Sequence, residues 1–380
     1  MADSITSKCD RIFSFRMPAV TMGTGARSEL SGLVQPHGKN ALIVTDPGIG
    51  SQDSFREIVA DLEKSGCKTA IFGDVVPDPP LEVVEKCAAQ AREVQADIVI
   101  GIGGGSALDV AKVAAIVAQH GYELPTLFGT DEVPQRGLPT VLLPTTAGTG
   151  SEVTPIAVLS DEEHQLKRGI VSDHLLADHA LVDPELCLTL PPGPTAYTGM
   201  DTLTHGIEAY TNKHAVPLID SYALEVVRLV GKSLETAVKE PSNMAARYDM
   251  SLASLLGGLC LKSVNTAAVH ALAYPLGGRF HVPHGVANSL LLPHVMRFNA
   301  PVSSGRYSVV AECLGSDDAV AAVQKISAAV GTDKRMRDFG VEEQHLTEMA
   351  TSAMEVQRLL VNNPREVTEA DALAIYEAAW

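Results

Sequence analysis

Several features that mark other classes of protein are scarce or missing in this sequence. Aromatic residues make up only 4% of the 380 residues, so we expect a core built mainly from Ala, Val, Leu and Ile. The six cysteines are scattered without a C-x-x-C pair, and a chain of this length needs no disulfides, which predicts reduced, mostly buried thiols. No apolar run approaches the roughly 20 residues of a membrane helix, and the N-terminal segment lacks the apolar stretch of a secretory signal. We therefore expect a cytoplasmic protein without a membrane partner.

Positive charge is also scarce. The formal net charge is −17, from 29 Lys and Arg against 46 Asp and Glu. No run of Lys or Arg is long enough to bind a phosphate backbone, and a chain this acidic is repelled by nucleic acid. The sequence therefore predicts no nucleic-acid partner. Hydrophobic residues at 46% and charged residues at 20% are typical of a globular protein, and 380 residues are enough for two domains.

The first half of the chain alternates short apolar runs with helical patterns. Strands are predicted at 41–45, 69–72, 97–101 and 140–143, with helices at 54–64, 81–93 and 106–118. Ser106, with Asp109 three residues later, predicts a capped start for the third helix. Alternating strands and helices indicate an α/β domain, in which helices cover both faces of a parallel sheet.

The pattern changes after Pro191 and Pro192. Helical periodicity dominates at 200–213, 217–238, 243–262, 264–274, 285–299 and 303–380, with few strand signals. We place a domain boundary near 190, which gives an α/β domain over 1–190 and an all-helical domain over 191–380.

Two loops of small residues follow predicted strands. The first, G-I-G-G-G-S at 101–106, opens a helix, where backbone N–H groups favour anions and glycines allow close approach of a pyrophosphate. Its match to G-x-G-x-x-G fails at Ser106, so a plain tight turn stays open as an alternative. The second loop, P-T-T-A-G-T-G-S-E at 144–152, also follows a strand. Two such loops at the carboxyl ends of neighbouring strands predict a nucleotide crevice.

Two charged residues could contact the same nucleotide. Asp46 follows the strand at 41–45, where an acid can bind a ribose diol and repel a 2′-phosphate, which would favour NAD over NADP. Asp46 could equally initiate the turn at Pro47 and Gly48. Lys167 could reach a phosphate or the ribose, although a single lysine is usually a solvated surface charge.

One carboxylate and three histidines in the second half form a possible metal-ligand set. Asp201 and His205 have i, i+4 spacing, which places both side chains on one helix face. His270 lies in an apolar helix and therefore needs a polar partner. His284 follows Pro283, which can begin a helix and direct the imidazole inward. Such a set suits Fe²⁺ or Zn²⁺ without deciding between them, and together with a dinucleotide it indicates hydride transfer.

The sequence resembles the iron-containing (group III) alcohol dehydrogenase family. The resemblance rests on G-G-G-S at 103–106, P-T-T-A-G-T-G-S-E-V-T at 144–154, G-M-D-T-L-T-H-G-I-E-A-Y at 199–210 and P-H-G-V-A-N at 283–288, and it extends over nearly the whole chain. It implies an N-terminal dinucleotide-binding domain, a C-terminal helical domain, an active site in the cleft between them, and a homodimer or larger homo-oligomer. This architecture is shared with dehydroquinate-synthase-like proteins.

The resemblance also implies roles for individual residues. Metal ligation falls to Asp201, His205, His270 and His284. The implied contacts to NAD(P) are Asp46, Asp78, Gly103, Gly104, Gly105, Ser106, Thr145, Thr146, Thr149, Ser151, Val153 and Lys167.

Two positions depart from the family pattern. Many members have a histidine one turn after the third ligand, where this chain has Tyr274. A phenol has an unperturbed pKa of about 10 rather than about 6.5, so the proton path differs, with Tyr274 and His281 as candidate catalytic residues. Many members have Asn at position 78, where this chain has Asp78. An ionised carboxylate only accepts hydrogen bonds, so Asp78 requires a donor.

We therefore expect a metal-dependent, NAD(P)-linked alcohol dehydrogenase or aldehyde reductase that acts on a small alcohol or aldehyde. One alternative is a maleylacetate-reductase-like enzyme that reduces an oxoacid with little need for metal. Another, from a different class, is an NAD-recycling, metal-dependent lyase of the dehydroquinate-synthase type.

Overall fold

The computed structural model describes residues 12–161 and 166–380. These residues form two compact units. The sheet unit comprises Arg16–Thr146 and Gly150–Thr189, and the helical unit comprises Ala147–Thr149, Leu190–Trp380 and the described residues before Arg16.

The sheet unit contains a six-stranded parallel sheet, ordered β1-β9-β6-β4-β2-β3, and a three-stranded sheet, ordered β5-β8-β7. The strands are β1 (Ala19–Met22), β2 (Asn40–Val44), β3 (Lys68–Phe72), β4 (Ile98–Gly103), β5 (Gly129–Thr130), β6 (Thr140–Pro144), β7 (Ile156–Asp161), β8 (Leu166–Val171) and β9 (His179–Val182). Its α-helices are α1 (Leu30–Val34), α2 (Pro47–Gly50), α3 (Asp53–Lys64), α4 (Leu81–Glu93) and α5 (Gly105–His120). Short 3-10 helices lie at Ala26–Glu29, Leu124–Leu127, Ser151–Val153, Asp173–Leu175 and Pro184–Cys187.

The two faces of the larger sheet bury alternate residues of each strand. Leu42 and Val44 of β2 pack in one apolar cluster with α4 and α5, whereas Ala41 and Ile43 pack in another with α1 and α3. This alternation follows from the two-residue period of a strand, and continuous apolar runs suit a sheet that is buried on both faces. The predicted parallel sheet with helices on both faces is confirmed.

The order of the strands reverses at β2. β3, the next strand in sequence, lies on one side of β2, while β4 lies on the other. In open parallel sheets, ligands bind beyond the carboxyl ends of the strands at such a reversal. β2 is followed by Asp46 and β4 ends at Gly103, so the reversal brings two predicted cofactor residues to one edge of the sheet.

One predicted local feature is wrong. α5 begins at Gly105 with Gly104 as its N-cap, and no side chain caps it, so Ser106 and Asp109 do not form a capping box. Asp109 is drawn away because its carboxylate accepts hydrogen bonds from Ser151 Oγ and from the backbone N–H of Val158.

The helical unit is built from α6 (Pro192–Thr211), α7 (Pro217–Lys239), α8 (Met244–Val264), α9 (Ala268–Phe280), α10 (His284–Cys313), α11 (Ala319–Val330), α12 (Leu346–Met354), α13 (Gln357–Leu360) and α14 (Glu369–Ala379), with 3-10 turns at Met336–Phe339 and Glu343–His345. α10 contains Pro293 and Pro301 and is kinked at Ser303, whose backbone is not helical. A single apolar cluster joins these helices.

In the described part of the chain, no single helix is long and apolar enough to cross a membrane; α8 and α9, bent by 105°, meet the length and composition criteria only as a pair. None of the five described cysteines forms a disulfide, and all but Cys313 are buried. Cys9 lies outside the described residues.

Candidate functional site

α6 presents three ionisable side chains on one face. Asp201 and His205 are one turn apart, and Glu208 follows three residues later, so all three point to the same side of the helix. All three are buried. Because burying charged groups without partners is costly, these three side chains require partners from other elements.

Those partners come from α9 and α10. The Oδ1 atom of Asp201 lies 3.7 Å from Nε2 of His205, 3.5 Å from Nε2 of His270 and 3.8 Å from Nε2 of His284. Asp201, His270 and His284 offer ligand atoms that all lie within 4.8 Å of one another. The His205 and His270 rings stack with their centroids 5.0 Å apart. The structure therefore brings together all four residues of the predicted ligand set.

A glycine lets α10 reach this cluster. A Cβ atom at Gly285 would lie 2.0 Å from the carbonyl oxygen of Tyr197 on α6. Only glycine allows so close an approach of two backbones. The P-H-G motif thus places His284, the first residue of α10, within reach of Asp201.

Glu208 orients His270. The Glu208 carboxylate accepts hydrogen bonds from Nδ1 of His270 at 2.6 Å and from the backbone N–H groups of Ala267 at 3.0 Å and Val269 at 2.6 Å. Since Nδ1 is the donor, the neutral form of His270 presents a lone pair on Nε2 toward Asp201. One carboxylate oxygen and imidazole nitrogens with free lone pairs are a donor set that fits Fe²⁺ or Zn²⁺.

Asn288 contacts three of the four side chains. Its Nδ2 atom lies 2.7 Å from Oδ1 of Asp201, 3.1 Å from Nε2 of His270 and 3.2 Å from Nε2 of His284. Neither Asn288 nor Glu208 was predicted from the sequence. Helical spacing offered a signal, because Asn288 lies four residues after His284 and Glu208 three residues after His205.

The electrostatics of the cluster favour a cation. Burial raises the pKa of Asp201, but the surrounding imidazoles outweigh burial and hold that pKa well below its usual range. Burial lowers the pKa of His270, but the carboxylates of Glu208 and Asp201 raise it to about 9. Burial also lowers the pKa of His205. The two buried carboxylates thus favour positive charge beside them, either a proton on His270 or a bound cation.

The predicted nucleotide residues of the sheet unit gather at the strand reversal. Asp46 is the N-cap of α2, where its Oδ1 accepts hydrogen bonds from the backbone N–H groups of Gly48 and Ile49. Its Oδ2 would lie 3.4 Å from a Cβ at Gly103. Thr145 N–H donates to the Gly103 carbonyl at 2.9 Å, and the Thr146 side chain would lie 3.4 Å from a Cβ at Gly104. Gly105 and Ser106 form the first turn of α5.

The second loop continues into a buried polar network. Lys112 Nζ donates to Ser151 Oγ at 2.7 Å and to the Ser151 carbonyl at 3.0 Å, and it lies 3.0 Å from Asp109 Oδ1. The Ser151 hydroxyl is thus committed to protein partners, which fixes the turn that carries it. Val153 and Glu152 are buried beside it, and burial raises the pKa of Glu152 to about 7.

The other residues predicted to contact the cofactor or to carry a proton lie outside the strand reversal and the four-residue cluster. Lys167 on β8 forms an ion pair with Asp78 at 2.6 Å, which supplies the donor that Asp78 requires. Thr149 belongs to the helical unit. Tyr274 lies one turn after His270 on α9, and its hydroxyl is 3.4 Å from Nη2 of Arg358. His281 is the exposed, left-handed residue that ends α9.

Family models match both halves of the chain. A model described as iron-containing alcohol dehydrogenase matches residues 18–184, and one described as the C-terminal part of the Fe-containing alcohol dehydrogenase family matches residues 195–380. The chain belongs to the iron-containing alcohol dehydrogenase family.

Individual members of the family are similar to this chain over nearly its whole length. Long-chain-alcohol dehydrogenase 1 of Geobacillus thermodenitrificans is 41% identical, covering 96% of this chain and 95% of its own. Sulfoacetaldehyde reductase of Bilophila wadsworthia is 33% identical, covering 96% and 98%. The crystal structure of a 1,3-propanediol oxidoreductase superposes with a TM-score of 0.95 at 36% identity, covering 97% and 100%. The crystal structure of sulfoacetaldehyde reductase from Bifidobacterium kashiwanohense in complex with NAD⁺ superposes with a TM-score of 0.91 at 32% identity, covering 97% of this chain and 99% of its own.

Membership in the iron-containing alcohol dehydrogenase family confirms two predictions. The predicted fold, an α/β domain followed by a helical region, is that of the family. The predicted activity class, an NAD-linked alcohol dehydrogenase or aldehyde reductase with iron, is confirmed as well. Family membership by itself does not assign roles to individual side chains.

Proposed function

We propose that this protein oxidises an alcohol to its aldehyde or ketone, reversibly, at a metal centre made by Asp201, His205, His270 and His284. The observation that carries the proposal is the convergence of three imidazole Nε2 atoms on one carboxylate oxygen, at 3.5–3.8 Å. When bound, the metal would polarise the substrate oxygen as a Lewis acid, and NAD would accept or supply hydride.

The chain's own residues bind and orient. Burial of Asp201, His205 and His270 excludes water from most of the centre, while the partly exposed His284 leaves one side open to a substrate. Asn288 restrains three of the proposed ligands through its amide. We assign proton transfer to Tyr274, because it shares a helix face with His270 and carries a hydroxyl beside Arg358. His281 is the alternative proton carrier.

For the cofactor, we propose NAD rather than NADP. Support comes from Asp46 at the strand reversal, where its negative charge would repel a 2′-phosphate. Its contacts to Gly48 and Ile49 hold the carboxylate in place beside Gly103. The glycine and threonine residues of the two loops, together with Ser151, Val153, Asp78 and Lys167, complete the proposed nucleotide contacts.

For the substrate, we propose a small alcohol or aldehyde. A relative that acts on 1,3-propanediol and another that acts on sulfoacetaldehyde support this size class, although a long-chain-alcohol dehydrogenase is also similar. The test is a panel of alcohols and aldehydes of increasing chain length, assayed with iron-loaded protein by NADH absorbance. Turnover only above about ten carbons would contradict the proposed size class.

The same assay separates the two rival activities. A chelator should abolish turnover and Fe²⁺ should restore it, which an oxoacid reductase with little need for metal would not show. Net formation of NADH from a simple alcohol excludes a lyase that recycles its NAD. Asp201→Ala and His270→Ala variants that kept full turnover would contradict the metal centre.

We also propose a homodimer or larger homo-oligomer in the cytoplasm. Among the described residues, β1 is an edge strand with one hydrogen-bonded neighbour, and Met17 just before it is exposed, so this edge is available to pair with a second copy. The absence of disulfides among the five described cysteines is compatible with a reducing compartment. Light scattering that gave a monomer mass would contradict the first part, and cell fractionation tests the second.

A further inference from the structure

We infer that Glu208 is a positioning residue that sets the metal affinity of the centre by fixing the ring orientation and tautomer of His270. The inference rests on the proposed metal ligation by His270. The geometry points to this role because, within the described part of the chain, the hydrogen bonds of the Glu208 carboxylate all come from the start of α9 or from the ligand that α9 carries.

Three hydrogen bonds fix the orientation of the Glu208 carboxylate. Oε2 of Glu208 accepts hydrogen bonds from Ala267 N–H and from His270 Nδ1, while Oε1 accepts one from Val269 N–H. Backbone N–H groups can only donate, so both carboxylate oxygens must act as acceptors. The third donor is then His270 Nδ1–H, and the opposite nitrogen, Nε2, is left with the lone pair that a metal requires.

Glu208 also determines where His270 stands. Ala267 is the N-cap of α9 but supplies no side-chain cap, and His270 is the third residue of the helix. Glu208, from α6, provides the cap in its place by binding the N–H groups of Ala267 and Val269. α6 also carries Asp201 and His205, so one side chain ties the helix with two proposed ligands to the helix with the third.

The close ionic contact of Glu208 is with His270, although its charge also acts on the more distant His205. Within 12–161 and 166–380, His270 is the one cationic or potentially cationic side chain that pairs with Glu208, at 2.6 Å. Both side chains are buried, with about 5% of each exposed, so little solvent screens the interaction. A carboxylate in this position raises the basicity of the imidazole as a ligand, and losing such a partner typically weakens metal binding 10–100-fold.

Glu208→Gln tests the role with the smallest change in shape. A glutamine has one acceptor oxygen and one NH₂ group, so its NH₂ must face either Val269 N–H or the Ala267 and His270 donors. In both orientations a donor meets a donor, and in the second His270 is driven toward the tautomer that protonates Nε2. Asp220→Asn is the matched control, because Asp220 is a poorly exposed carboxylate of the same unit that pairs with Arg306 away from the centre.

The experiment is a calorimetric titration of the metal-stripped full-length chain with Zn²⁺, together with the visible spectrum of the Co²⁺ form and ¹⁵N NMR of the histidine tautomers. We expect Glu208→Gln to raise the Zn²⁺ dissociation constant 10–100-fold and to alter the Co²⁺ spectrum, while Asp220→Asn stays within about twofold of wild type.

Equal affinities for Glu208→Gln and wild type, or equal weakening by both variants, would overturn the inference. If Glu208→Gln does not fold, Glu208→Asp decides by the same titration, since it keeps the charge but cannot reach all three donors. Wild-type protein that binds no better than His270→Ala would instead overturn the metal centre, and this inference with it.

Discussion

Lys167 Nζ lies 2.6 Å from Oδ1 of Asp78, so two of the three charged residues proposed to contact the nucleotide neutralise each other. Asp78→Asn should leave the Lys167 ammonium available to a phosphate. We expect the dissociation constants for NADH and NADPH to fall several-fold at low salt, about 1 kcal/mol, with the greater change for NADPH. Fluorescence titration measures both. The gain should shrink at high ionic strength; a salt-independent effect would argue against a charge mechanism.

Asp46 has two separable roles, capping α2 and carrying charge beside Gly103. Asp46→Asn keeps an acceptor for Gly48 and Ile49 but removes the charge, whereas Asp46→Gly removes both. We expect each to lower the NAD-to-NADP ratio of kcat/KM by about tenfold or more, roughly 1.4 kcal/mol. Only Asp46→Gly should also lower the unfolding free energy, by roughly a few tenths of a kcal/mol. An unchanged cofactor ratio in Asp46→Asn would show that the charge does not select NAD.

Gly285 controls how closely α10 approaches α6. Gly285→Ala would place a Cβ 2.0 Å from the Tyr197 carbonyl oxygen, so the start of α10 must move and carry His284 with it. We expect a loss of 2 kcal/mol or more in unfolding free energy and weaker metal binding, on the order of that for overpacking. Gly305→Ala is the control, since a Cβ there meets nothing within 4 Å, and it should be neutral or slightly stabilising. Chemical denaturation and metal titration of both variants give the comparison.

Glu152 should make the stability of the protein depend on pH. Burial raises its pKa in the folded state to about 7, above the roughly 4.3 of an unfolded chain. Its protonated form therefore contributes stability that is complete below about pH 4 and is lost as pH rises through 7. The loss amounts to about 4 kcal/mol at ~1.4 kcal/mol for each pKa unit. Glu152→Gln stays neutral, so we expect its advantage over wild type to grow from pH 5 to pH 8 in chemical denaturation. The exposed Glu93→Gln should show no such trend.

Tyr274 is the proposed proton carrier. Tyr274→Phe removes only the hydroxyl that lies 3.4 Å from Arg358. We expect kcat to fall about 10²-fold, the lower range for loss of an acid–base group, with little change in metal or NADH affinity. Tyr248→Phe, at a partly exposed position on α8, is the matched control. A Tyr274→Phe variant with wild-type kcat would move the assignment to His281 or to water.

Periodicity along the chain was enough to predict the parallel sheet and most helices, because buried strands and amphipathic helices are local patterns. The short β1 and the antiparallel pair β7 and β8 were not predicted: β1 has four residues and only partial burial, so its apolar pattern is weak. The capping box failed for a long-range reason, since Asp109 binds Ser151 and Val158 instead of the start of its own helix. No local rule reports such a contact.

The candidate site, too, could be predicted from local sequence only in part. Asp201 and His205 could be recognised from spacing within one helix, and His270 could be expected to need a partner. The identity of that partner, Glu208, depends on a contact across 62 positions of sequence, which only the packing of α6 against α9 creates. The Lys112 network, which occupies the hydroxyl of Ser151, is likewise a product of tertiary structure.

The proposed ligands fall into two pairs that are far apart along the chain, with Asp201 and His205 on α6 and His270 and His284 on the consecutive helices α9 and α10. An unfolded chain can offer at most neighbouring pairs of these groups, so a metal would bind the native state far better than the denatured one. The stability of the fold would then depend on metal concentration. Free metal at 100 times its dissociation constant would add about 2.7 kcal/mol to the unfolding free energy. A chelator would thus weaken the whole helical unit as well as its chemistry.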